Sequence, residues 1–343
     1  MRLRTCSIAA VLLVGMLVFP ATAASAHSPL FPTGNDRLAT AYTVNDPAKS
    51  WAIYSWLDEG GGVQYYRLEL QQGQRISLSL LTAQNPQDGG FLPSLVLFGP
   101  SLGRNDSVPS FLDRPYGYDA WVISGQAPSE GTYEPFSATG YYQVASLVTN
   151  ASQEATFYVA VFNHYTGGSY GLAVGDQEGY GPEEIVYLPY NLVRVYQWDE
   201  QDLPAILAPM AIVIAIGGIL YIRSANGQKL IPSPARAFTA LSALGFLGWS
   251  AMLVAEMVIA SGKGPLGLDV GITLLFIILG VLLAWVDLKL VRRRDRILAR
   301  GHRLLLVLVA IVGVALWSGF YIGPIAALLA SVLPPYSPRS KRS

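Results

Sequence analysis

Nineteen consecutive uncharged residues, Pro204–Ile222 (PAILAPMAIVIAIGGILYI), constrain this chain more than any other stretch. At ~1.5 Å per residue, a helix of that length crosses the ~30 Å hydrocarbon core of a bilayer. The stretch also divides the chain into halves of opposite charge. Residues 27–203 carry 19 acidic and 7 basic side chains, a net of −12. Residues 204–343 carry 4 acidic and 14 basic ones, a net of +10. That asymmetry predicts segments in different compartments.

The first 26 residues read as a secretory signal. Arg2 and Arg4 form a positive start, Ile8–Phe19 an apolar run, and Ala24-Ser25-Ala26 a small-residue cleavage site. Cleavage after Ala26 leaves a mature chain that begins His27-Ser28-Pro29-Leu30. The single cysteine, Cys6, goes with the leader, so disulfides and thiolate metal sites are not expected.

Residues 37 to about 176 show strand periodicity. The runs Ser50–Leu57, Val63–Leu70, Arg75–Leu81, Ser94–Phe98, Asp119–Ile123, Tyr141–Leu147, Ala155–Phe162 and Ser169–Val174 alternate or are rich in β-formers, with turn residues between them. In VQYYRLEL, alternation sets Val63, Tyr65, Arg67 and Glu69 on one face and Gln64, Tyr66, Leu68 and Leu70 on the other. About eight strands in that length predict an extracytoplasmic antiparallel β-sandwich, jelly-roll-like, over residues 27–176.

The order YYRLELQQGQRISLSLLT, then FYVAVFN, then GGSYGLAVG resembles the pre-peptidase C-terminal (PPC) type of β-sandwich. The resemblance spans Arg37–Gly175. It implies a secreted accessory module for binding or solubility, without a catalytic centre of its own. The Gly-, Pro- and Asp-rich insertion between Phe98 and Tyr141 is then a natural binding surface. Asn105 and Asn150 head glycosylation sequons.

Residues 177–203 read as an interfacial connector. Gly181-Pro182-Glu183-Glu184 starts a helix, and Tyr187, Tyr190, Tyr196 and Trp198 suit a headgroup layer. Pro189 is expected to break it into two pieces. Four transmembrane helices are then predicted: 204–222, 237–259, 270–286 and 304–333, with 335–343 as a tail. The loops 223–236 and 289–303 are basic and the loop 261–269 holds only Lys263, so the positive-inside rule places residues 27–203 outside. The last run, Leu304–Leu333, is too long for one crossing and contains Gly323-Pro324; four simple passes leave the C-terminus outside.

Candidate chemistry is sparse. No nucleophile elbow, zinc helix, P-loop or post-strand dinucleotide loop is read. A mature N-terminal His27 offers an amine and an imidazole, which chelate copper, and His164 in the loop Asn163–Gly168 is the other extracytoplasmic histidine. Copper carriers and copper oxygenases resemble this in using such a histidine on a β-sandwich. Calcium is a second option, through Asp88, Asn105, Asp106, Asp113 and Asp119. Glu256 is an acidic residue within a span, and so a candidate for a transporter subunit. Asp269 and Asp287 flank the third span as interface residues. Arg292, Arg293 and Arg294 suit anionic headgroups of membrane lipid. The acidic exterior disfavours nucleic acid and favours a cationic or basic ligand. The expected function is a non-enzymatic, membrane-anchored surface protein that binds a ligand or partner protein, with partner membrane subunits possible through the small residues of the helices.

Overall fold

The computed structural model describes residues 27–59, 61–179, 181–227, 233–292 and 300–333. The expected leader, the C-terminal tail, Arg293 and Arg294 lie outside the described residues. The chain forms two compact units. A β unit comprises residues up to Gln201 together with Ile259–Gly267, and a helical unit comprises Asp202–Val258 and residues from Leu268 onward.

The β unit holds eleven described strands: β1 Ser28–Leu30, β2 Tyr42–Thr43, β3 Trp51–Leu57, β4 Val63–Leu70, β5 Arg75–Thr82, β6 Ser94–Gly99, β7 Asp119–Ile123, β8 Thr132–Glu134, β9 Thr139–Asn150, β10 Ala155–Phe162 and β11 Gly168–Val174. A one-turn helix, α1 (Pro86–Gly89), follows β5. One sheet has the order β1-β3-β11-β5-β9-β8 and the other β2-β4-β10-β6-β7. The expected all-antiparallel pairing is corrected: β1 runs parallel to β3, and β2 parallel to β4. Both are edge strands of two or three residues, too short to show an alternation in the sequence.

The core lies between the sheets. The six-stranded sheet contributes Ile53, Leu78, Leu80, Tyr170 and Leu172, and the five-stranded sheet Tyr66, Leu68, Leu97, Phe157 and Val159. The alternation of β4 holds: Tyr66, Leu68 and Leu70 point inward, whereas Arg67 and Glu69 form an exposed ion pair. Tyr65 faces the other way and anchors a second cluster with Val96, Phe98, Leu112 and Ala160. Leu112 belongs to the insertion after β6, and Asp113 N donates to the Tyr65 hydroxyl at 2.6 Å. Part of the insertion therefore packs on the outer face of the five-stranded sheet.

One polar knot crosses the core. The Tyr66 and Tyr170 hydroxyls lie 2.5 Å apart, and Gln64 Oε1 accepts from Tyr170 at 2.8 Å and from Ser55 Oγ at 2.5 Å. Burial pushes the Tyr66 phenol up to about 12, so the pair stays neutral. Tyr170→Phe removes the shortest hydrogen bond of the Tyr66 hydroxyl and leaves it weaker contacts, such as Gln64 at 3.4 Å. Removing one partner of a buried hydrogen bond is expected to cost about 1–2 kcal/mol. Hydrogen exchange of the β4 and β11 amides in the full chain measures it.

After β11 comes α2 (Pro182–Trp198). Pro182 opens it, and the Gly181 N–H donates to the Glu184 carboxylate at 2.5 Å. The expected break at Pro189 does not occur; the helix runs through it. Packing supplies the reason. Tyr196 donates to Ser137 O at 2.8 Å, Trp198 donates to Tyr170 O at 2.9 Å, and Glu184 pairs with Lys49 at 2.6 Å. The connector is thus largely seated on the β unit, with Tyr187 and Tyr190 left exposed.

In the helical unit three helices are long and apolar enough to cross a membrane: α3 (Leu203–Gly227), α4 (Pro234–Ser261) and α5 (Val270–Val291). Most of their exposed large side chains are aliphatic, among them Ile212, Ile216, Ile219, Val258 and Ile278, a surface that hydrocarbon solvates better than water does. The fourth expected span is corrected. It is α6 (Arg300–Ala315), a tight turn and α7 (Ile322–Val332). At ~1.5 Å per residue, α6 is about 24 Å long and α7 about 16 Å, each short of a full crossing. Trp317, Gly319, Phe320 and Tyr321 adopt positive φ of 52°, 74°, 47° and 59°, which ends the helix. Pro324 falls in the first turn of α7, where its missing N–H costs nothing.

The two pieces fold back on each other. Arg303, near the start of α6, donates to Ser331 O at 3.1 Å and Leu333 O at 3.0 Å, at the end of α7. Those are carbonyls that a helix end leaves without intrahelical partners. Small residues admit the turn. A Cβ on Gly245 of α4 would meet Gly323 N at 2.8 Å, and one on Gly280 of α5 would meet Ser250 Oγ at 2.5 Å.

Candidate functional site: an acidic cleft on the six-stranded sheet

The outer face of the six-stranded sheet carries a cavity of about 370 Å³. Its floor exists because the outward side chains there are small. Ala173 on β11 lies between Ala52 on β3 and Ser79 on β5. Gly171 on β11 and Gly175 just past its end flank it two residues away, and Ser77 extends the row on β5. Along β11 the inward positions are large (Tyr170, Leu172, Val174) and the outward ones minimal.

Aromatic and acidic groups wall this floor. Tyr54, Tyr141 and Trp198 line it, with Glu134, Asp176 and Glu178, and the described lining includes no Lys or Arg. Trp198 arrives from the end of α2 and packs edge-on against Tyr54, with ring centroids 4.9 Å apart. Asp176 also forms an exposed ion pair with Arg75 at 3.1 Å. His27 sits in the cleft with its Nδ1 hydrogen-bonded to Ser50 Oγ. Burial lowers the His27 imidazole below its ordinary value, so it is neutral at pH 7.

Such a lining has the chemistry to receive a cation. Carboxylates supply charge, aromatic faces attract ammonium groups, and Ser50, Ser77, Ser79, Thr139 and Gln143 supply hydrogen-bonding groups.

His27 and His164 are not brought together. His27 lies beside Ser50, at the start of β3. His164 follows β10, whose last residue Phe162 pairs with Val63, and Gly61 stands beside its carbonyl. They therefore flank opposite ends of β3, about 23 Å apart at ~3.3 Å per residue. His164 packs among Phe111, Phe162 and Tyr165. Among the described residues no three His, Cys, Asp or Glu side chains are grouped to hold a metal ion. The aspartates weighed for calcium organise their own loops. Asp106 accepts from Val122 N and Asp119 from Leu102 N, both at 3.0 Å, while Asn105 accepts from Arg114.

The chain does contain a five-residue match to G-x-S-x-G, Gly167–Gly171, which the sequence reading passed over. It runs into β11 rather than a strand–turn–helix elbow, and Ser169 is buried in the strand. That context does not expose a nucleophile.

In the helical unit, Glu256 is 2% exposed within α4. Asp287, expected to flank the third span, lies inside α5, which continues to Val291, and is fully buried with Ser242 Oγ donating to its Oδ2 at 2.6 Å. Arg292 caps the end of α5 and is exposed.

No known protein-family model matches the chain, and no curated protein matches its sequence.

Proposed function

We propose that this protein is a non-enzymatic, membrane-anchored surface protein whose extracytoplasmic β unit, a PPC-like module, binds a ligand bearing a cationic group. The observation that carries this reading is the cleft itself: three carboxylates and three aromatic rings around a floor of small residues. The net charge of −12 over residues 27–203 would draw a cation toward it. Sidedness rests on the basic segments 223–236 and 289–303. With α6 and α7 folded back, Leu333 returns to the side of Arg303, which the positive-inside rule makes cytoplasmic.

The test is a fluorescence titration of the purified full chain with choline and with spermidine. Saturable quenching is expected; Glu134→Gln with Glu178→Gln should weaken spermidine at least tenfold, because its N–H groups can make charge-assisted hydrogen bonds worth about 1.5–3 kcal/mol each, and should weaken choline less, because a quaternary ammonium has no N–H and loses only Coulomb attraction. A response that is unchanged by these substitutions, or by filling the floor with Ala173→Trp, sinks the cleft as the site.

The pH dependence has a definite sign. His27 is held below its ordinary value of 6.5 by burial. Its protonation at acid pH adds positive charge to a cleft built for cations. Affinity for choline is therefore expected to fall as the pH drops below 6.5 and through the lowered value. The stability that neutral His27 contributes is full above 6.5 and is lost over the same window. His27→Gln should flatten that part of both profiles.

A further inference from the structure

We propose that Asp287 is a proton-binding site of the helical unit, its carboxyl group held neutral against Ser242. Asp287 is 0% exposed, on the last two turns of α5. Its Oδ2 accepts from Ser242 Oγ at 2.6 Å, while its Oδ1 has no hydrogen-bond partner. An ionised carboxylate away from water needs a cation or several donors to offset lost hydration. One serine is not enough.

The titratable groups on the neighbouring elements do not supply the rest. On α5, Lys289 lies over the Trp285 ring at 3.5 Å. On α6, Arg303 is engaged with the carbonyls of Ser331 and Leu333; Arg300 and His302 are the other titratable groups of that helix. On α4, Glu256 is fourteen residues from Ser242, about 21 Å along the helix, and Arg236 is six residues away toward the opposite end. α3 has Tyr221 and Arg223, and α7 has none. Among the described residues none of these, nor Arg292 at the end of α5 or Tyr321 in the turn before α7, hydrogen-bonds or ion-pairs with Asp287. A metal cation would require a shell of oxygens, and a single hydroxyl accompanies the carboxyl group. A proton is the remaining solution. It sits on Oδ1, leaving Oδ2 as the carbonyl oxygen that Ser242 bonds. Ionisation then requires a rearrangement that admits water or a donor, which makes proton release a report of helix movement.

Infrared spectroscopy of the full chain in lipid bilayers at neutral pH tests this. The expected result is a protonated-carboxyl C=O stretch that disappears in Asp287→Asn. In Ser242→Ala the band should move to higher frequency, because losing the hydrogen bond stiffens the C=O. A spectrum identical in wild type and Asp287→Asn would overturn the proposal. So would a band erased by sodium chloride at constant pH, which would make this a cation site. If Asp287→Asn fails to fold, Ser242→Ala decides alone: an unshifted band overturns the assignment.

Discussion

Replacing Lys263 with methionine is expected to cost the β unit about 3–5 kcal/mol, the usual range for breaking a buried ion pair from one side. Lys263 lies in Ile259–Gly267, a segment that joins two apolar helices in sequence yet clusters with the β unit. Its ammonium group donates to Ala83 O at 2.9 Å and Gly140 O at 3.1 Å, and pairs with Asp199. Its own carbonyl accepts from Gly131 N at 3.0 Å and from the Tyr142 hydroxyl at 3.2 Å. Gly131 and Gly140 make the room: a Cβ on either would stand 2.8–3.0 Å from Lys263 atoms. The Asp199 side chain is 2% exposed, so methionine leaves a buried carboxylate with the Gln201 side chain but without its cation, and takes a donor from two carbonyls.

The effect separates from a simple packing loss in two ways. Burial already pushes the Asp199 carboxyl above its ordinary value, and Lys263 pulls it back in part. Without Lys263 it rises further. A carboxyl whose folded value is raised favours folding when protonated and opposes it as the pH rises through that value. The Lys263→Met deficit should therefore be full at neutral pH and shrink on acidification. Removing the second charge as well, in Lys263→Met with Asp199→Leu, should recover most of the loss, since an apolar pair of similar volume replaces the ions. Hydrogen exchange across β9, read in the full chain, measures all three variants. A single-variant loss below about 1 kcal/mol would assign Lys263 to the class of ordinary exposed pairs.

The sequence states the reasons for much of this architecture, and the failures are specific. The long strands are legible because one buried face forces an apolar alternation, as in β4, or two buried faces a continuous apolar run, as in β10. β1 and β2 are not, since an edge strand of two or three residues leaves no period to detect. Pro189 reads as a breaker because local propensity says so, whereas contacts through Tyr196, Trp198 and Glu184 override it. The break in the last apolar run was half legible. Its length and Gly323-Pro324 exclude one straight crossing, but the turn itself uses Trp317, Phe320 and Tyr321 at positive φ, a conformation that bulky residues rarely adopt. Burial against α4 and α5 makes it tolerable, as with the ring contacts Trp249–Phe320 and Phe276–Trp317. Lys263 was read only as a mild topology signal, because its partners are 64 to 180 residues distant. The cleft left one trace, the small outward residues Gly171 and Ala173 on β11 and Gly175 just past its end. That signal means little until neighbouring strands show that Ala52 and Ser79 complete the same row.

Gly175 at the end of that row supports the other large expectation. Its φ is +77°, in the left-handed region that favours glycine. A Cβ there would stand 2.2 Å from Lys49 O and 2.7 Å from both Ala48 O and Pro47 O. These are backbone atoms, so no rotamer change relieves the clash. The segment cannot withdraw cheaply either: Gly175 N donates to Ser77 O at 3.0 Å, Asp176 N to Ala48 O at 3.1 Å, and Gln177 N to Ala48 O at 2.9 Å. Gly175→Ala is therefore expected to cost about 2–4 kcal/mol, combining roughly 1 kcal/mol of backbone strain with an overpacking cost of about 1–3 kcal/mol. Because Gly175, Asp176, Ser50 and His27 line the cleft together, the same substitution should weaken choline binding in whatever fraction remains folded. Gly73→Ala is the matched control. Gly73 has a similar φ of +79° but open space where its Cβ would go, so it should show the strain alone, about 1 kcal/mol, with binding intact. Equal losses at both positions would mean that the 47–49 segment yields to the methyl group and does not fix the wall of the cleft.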